Sequence, residues 1–237
     1  METVDKKIAL GSWVSTSEPT EWIAARTDQL LQGLTKSVGA SGWELSLPSG
    51  ASEDPDAPIR RVPWEGDKRA LVAKCPVSAS FRSASLDEGY ALHLYGQTPD
   101  ECSVKVRVRA GDSSLGKRTP GHTVHVEFVA PARFAIPDDV AGTLVHSIVV
   151  AFDPQTASQV DVGIVELARR GGWKVVPSYR LWLRHDVLVD AALPAGMTSE
   201  RVGEGWLYTV PDDVAREQVV ALHEEFRVLN GLDTLPH

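Results

Sequence analysis

Apolar and polar residues alternate along the chain with periods that change from segment to segment. Ile8 to Val14 is a short apolar run broken by Gly11. Ser17-Glu18-Pro19 then supplies a capping residue and a proline at the head of a helix. Trp22, Ile23, Arg26, Leu30, Leu31 and Leu34 follow at three- and four-residue steps, which predicts one buried stripe on a helix ending near Gly39. From Trp43 to Leu47 the period is two, with Trp43, Leu45 and Leu47 set against Glu44 and Ser46, as in a strand with one covered face. Pro48 to Asp67, carrying Pro48, Pro55, Pro58 and Pro63, reads as a long loop.

Between Val77 and Val129 the period stays at two through Tyr90–Tyr95, Val104–Arg109 and Val124–Phe128, with polar, glycine-containing turns between them. That is an antiparallel meander. Val104, Val106 and Val108 point one way and Lys105, Arg107 and Arg109 the other, so the second face is solvated or meets an anionic surface. Two segments 74 positions apart, Pro137-Asp-Asp-Val-Ala141 and Pro211-Asp-Asp-Val-Ala215, read as helix starts in which Asp138 and Asp212 cap free amides. They reflect either duplication of an α/β unit or convergence on a good helix start. Val160–Leu167, Val175–Leu183 and Gly205–Val210 look like strands. Without regular βαβ alternation, the order points to an α+β fold with helices packed on a largely antiparallel sheet. Residues 1–237 then form one domain, with 1–135 and 136–237 as candidate sub-halves.

The 237 residues, 43% hydrophobic and 24% charged, can bury roughly 70% of their unfolded surface, so no disulfide or structural metal is needed. Cys75 and Cys102 fit a reduced cytosol, with a single bridge left open by sequence alone. The net charge of −8 argues against a general nucleic-acid or membrane-surface binder and leaves room for a basic protein partner. Met1 to Lys7 is polar where a secretory signal would be apolar, and no stretch approaches 18 apolar residues, so a cytoplasmic location is expected.

Phosphate-cradle, dinucleotide and nucleophile-elbow motifs are absent. His223-Glu224 has Arg227 where a second metal ligand would fall, so that pair is expected on a solvated helix face. His122 and His125 stand an odd step apart on a strand, which sends them to opposite faces, and surface or cross-strand hydrogen bonding is expected of both, with His93 as a strand neighbour. No metal, cofactor or catalytic residue is expected. Of the seven tryptophans, Trp64 alone lies on the proline-rich loop. With Glu53, Asp54, Asp56, Glu65 and Asp67 around it, the loop is a candidate partner-binding surface, in which Trp64 either anchors a positively charged partner or folds back onto the body.

A second kind of signal comes from Gly11-Ser-Trp13 followed by Glu18, then Ala25-Arg26, Leu30-Leu31 and Gly42-Trp43. It continues in Val150-Ala-Phe-Asp-Pro154, Tyr179-Arg-Leu-Trp-Leu183 and the segment from Gly205-Trp206 to Leu232. In these landmarks the chain resembles the immunity protein 52 family of bacterial polymorphic toxin systems. It departs from the family at Val14-Ser15, where a Gly-Pro-Arg-like continuation is usual, and in lacking glycine- and asparagine-rich middle strands. The resemblance implies a cytoplasmic antitoxin that binds a cognate toxin domain, commonly a basic nuclease delivered by a secretion apparatus such as type VI, with no direct contact to nucleic acid or membrane. A structural or scaffold protein of a phage or secretion system, and an enzyme with an unrecognised site, are the competing classes.

Overall fold

The computed structural model describes residues 5–14, 16–47, 60–77, 89–111, 122–168 and 175–232. Its first half runs β1 (Lys6–Trp13), α1 (Thr20–Val38), β2 (Ser41–Leu47), β3 (Arg60–Pro63), α2 (Lys68–Ala73), β4 (Tyr90–Gln97), β5 (Ser103–Ala110) and β6 (His122–Val129). The second half runs α3 (Asp139–Phe152), β7 (Thr156–Val160), α4 (Val162–Ala168), β8 (Arg180–Arg184), β9 (Thr198–Val202), β10 (Gly205–Thr209) and α5 (Arg216–Asn230). The strands form one ten-stranded sheet in the order β3-β2-β4-β5-β6-β1-β7-β8-β10-β9, and every pairing is antiparallel. The protein is therefore α+β. The meander β4-β5-β6 follows the alternation of its sequence, and β1 joins it to the C-terminal strands by pairing with β6 on one side and β7 on the other.

Strand alternation decides which helix covers which face. Trp182 and Leu207 pack with Val124, Val126, Leu144 and Ile148 in the core under α1 and α3. Their neighbours Leu181, Leu183 and Tyr208 point the other way, into a second core with Ile164, Val219, Leu222 and Phe226 from α4 and α5. Among the described residues, helices thus cover the inner strands of the sheet on the α1–α3 face and only its C-terminal end on the opposite face. Two glycines let strands and helices close up: a Cβ on Gly11 would stand 2.6 Å from Ile148 Cγ2, and one on Gly205 only 2.3 Å from Leu183 O.

Several segments fold otherwise than their patterns predict. Arg60–Pro63, inside the expected loop, is an edge strand on β2, and a short helix follows it. Val162–Ala168 is a helix although its valines and isoleucine suit a strand. Asp161 overrides them: its carboxylate accepts from the Ile164 amide (3.1 Å) and its carbonyl from the Val165 amide (3.0 Å), which starts a helix turn. In the expected strand Val175–Leu183, regular pairing begins only at Arg180, past Pro177. The two Pro-Asp-Asp segments serve different ends. Asp138 makes no capping bond to α3 and instead faces Lys7 at 3.7 Å. Pro211–Ala215 precedes α5 as a turn, and Asp212 accepts from the Arg180 guanidinium (3.1 Å), tying that turn to β8. No described helix is long and apolar enough to cross a membrane.

Candidate functional site

Three clusters contain the chemistry-bearing residues. The first is buried where β1, β6 and the approach to α1 meet. Antiparallel pairing places Trp13 opposite His122, and both are closed to solvent. Glu18, which precedes α1 and is 7% exposed, turns inward between them. Its Oε1 accepts from the Trp13 indole (3.1 Å) and from the amide and hydroxyl of Thr16, while Oε2 faces the Gly111 amide (3.4 Å) and His122 Nδ1 (2.8 Å). Burial alone would raise the Glu18 pKa, but hydrogen bonds from His122, its own backbone and Thr16, with the attraction of His122, hold it down at about 2. The Trp13, Trp22 and Phe152 rings pack against this network, Trp13 edge-on to His122. The Glu18 carboxylate thus gathers Trp13, Thr16, Gly111 and His122 around one buried point, which orients β1 against the approach to α1. His122 is therefore a core residue, contrary to its expected surface or cross-strand role. A pairing so distant in sequence leaves no local pattern to find it by.

The second cluster is the expected loop surface. Trp64 is 6% exposed and belongs to the α1-side core, its indole N–H directed at Asp28 (3.3 Å), which also pairs with Lys68. It folds back onto the body. Asp67 caps α2 by accepting from the Ala70 amide (3.1 Å), and Glu65 is exposed. Glu53, Asp54 and Asp56 lie outside the described residues. Replacing Trp64 with Ala should lower stability by about 3 kcal/mol, the cost of emptying a buried aromatic site. Chemical denaturation measures it, and an unchanged midpoint would place the ring outside the core.

The third is the face of the meander on which no described helix packs. In one cross-strand row, His93 of β4 stands beside Arg107 of β5, which stands beside His125 of β6; the next row holds Tyr95, Lys105 and Glu127. Burial, then the neighbouring Arg107, lowers the pKa of both histidines, leaving them neutral near pH 7. By contrast His223, expected on a solvated helix face, is 2% exposed, with Nε2 2.7 Å from the Ser178 carbonyl oxygen. Glu224 pairs with Arg227 at 2.9 Å. Cys75 and Cys102 are buried free thiols. Among the described residues no group of three or more His, Cys, Asp or Glu is placed to hold a metal ion.

No protein-family model and no curated protein matches the chain. Among solved structures, the fold is similar to that of Pseudomonas aeruginosa T6SS protein PA0821, with a TM-score of 0.51 and 10% sequence identity over 94% of this chain and 76% of that one. At that identity the likeness concerns the fold. The glycine and aromatic landmarks of the sequence serve the architecture: Gly11 under Ile148, Trp13 on Glu18, Arg26 on the Ala151 carbonyl and Trp182 on the Val202 carbonyl.

Proposed function

We propose that this protein is an immunity protein, acting in the cytoplasm of a bacterium that uses type VI secretion, and that it neutralises a cognate toxin by binding it rather than by catalysis. The carrying observation is a fold whose likeness to a T6SS protein extends over 94% of the chain. The toxin's proposed chemistry, a basic nuclease domain, follows from charge. Residues 136–237 hold 15 acidic against 8 basic residues and so contain most of the net −8. A negatively charged inhibitor approaches a basic groove faster than a neutral one and discriminates against acidic partners. The exposed acid Glu65, with Glu53, Asp54 and Asp56 of the same segment, would add to that attraction.

The test is co-expression with the products of the genes flanking this protein's own, each tried as the toxin. Restored growth, together with a stable complex on size-exclusion chromatography, is the expected result. Undiminished toxicity with no complex would overturn the proposal.

A further inference from the structure

We infer that the face of β4, β5 and β6 on which no described helix packs is a docking surface for an acidic patch on a protein partner, with Arg107 and Arg109 as the contacts. This does not rest on the partner's being a toxin.

The arginines occupy alternate positions of β5, roughly 7 Å apart on one face. Both are exposed, while Val106 and Val108 between and beside them are buried in the α1-side core. The other cations of this face already have partners. Glu127 lies between Lys105 (3.9 Å) and Lys6 (4.0 Å), and Arg61 pairs with Glu44 (4.0 Å) while lying over the Tyr95 ring at 4.3 Å. Among the described residues, no carboxylate pairs with Arg107 or Arg109. Each neighbours an uncharged side chain instead: His93 and His125 flank Arg107, and Ala91 and Thr123 flank Arg109. No described helix packs over these strands on this side, because α1, α2 and α3 lie on the other and α4 and α5 cover Leu181, Leu183 and Tyr208.

Two bare guanidiniums on a rigid strand match two carboxylates, which each can bind with paired N–H donors. Arginine is also among the residues enriched at the centres of protein interfaces. Net charge selects the class of partner. A long nucleic acid feels the field of the whole molecule, which at −8 repels it, whereas a carboxylate patch on a protein of either net sign meets the local field of the two arginines.

Fluorescence anisotropy with a labelled polyglutamate peptide, set against a DNA oligonucleotide of equal charge, tests the inference at low salt. The wild-type protein should bind the peptide saturably and the DNA more weakly. Arg107→Ser with Arg109→Ser should weaken peptide binding by about tenfold or more, and added salt should weaken the wild-type complex. Arg107→Lys with Arg109→Lys keeps the charge and should stay within a few-fold of wild type. Matched thermal melts exclude unfolding as the cause, and if the serine pair melts early, the charge-reversed single variant Arg109→Glu replaces it. No saturable peptide binding, equal binding by the serine pair, or tighter binding of DNA would each overturn the inference.

Discussion

Replacing Glu18 with Ala should destabilise the protein by about 4 kcal/mol, the cost of leaving two or more buried donors without the acceptor they share. The carboxylate is the common acceptor for the Trp13 indole, the Thr16 amide and hydroxyl, and the Gly111 amide, and it faces His122. Its loss leaves the Trp13 and Gly111 donors buried without the acceptor they use, and opens space beside the Trp13, Trp22 and Phe152 rings. Glu18→Gln keeps the volume and part of the bonding, so it should cost less. It also removes a titration. The Glu18 carboxyl has a pKa of about 2 in the fold against 4.5 ordinarily. The stability this gives is complete above 4.5 and is lost as the pH falls through 2, about 3 kcal/mol in all. In urea titrations the wild type should weaken across that window and Glu18→Gln much less; parallel curves would show that Glu18 is not the group responsible.

How much of this molecule the sequence displays depends on whether an element's signal is local. The meander was legible because each strand buries one face, and Val104, Val106 and Val108 alternate with charge as that requires. The stripe of α1 and the left-handed stop at Gly39 were legible for the same reason. The edge strands β3 and β9 were not, since most of their residues are exposed and carry no apolar alternation. For α4, β-branched composition pointed to a strand and a single aspartate decided otherwise. The acidic segment around Trp64 was visible as composition, but whether Trp64 faces out or in depends on Asp28, far away on α1. The buried Glu18 network was invisible because it depends on which strand pairs with β1. The two arginines of β5 stood out in the sequence, yet their bareness follows only from the absence of a described helix above them and from Glu127 being occupied by lysines.

A second acid-sensitive window should lie above the first and belong chiefly to His223. Its imidazole sits within the α5-side packing, edge-on to Phe226, with Nε2 near the Ser178 carbonyl. Burial pushes its pKa down to about 4 from 6.5, against the hydrogen bond to Ser178, which favours the charged form. Between those values the unfolded chain takes up a proton that the folded one refuses, so stability falls as the pH drops from 6.5 to 4, by about 3 kcal/mol at the full shift. His93 and His125 are displaced in the same direction and add to the same window, so the wild-type slope alone does not isolate one residue. His223→Gln does, because it keeps a donor for Ser178 and cannot titrate. Its stability should fall less than the wild type's between pH 6.5 and 4, and the slope above pH 4.5 should shrink further when His93 and His125 are also replaced by Gln, which leaves the Glu18 contribution below it. If His223→Gln instead follows the wild-type slope throughout, the buried imidazole is not what couples this fold to mild acid.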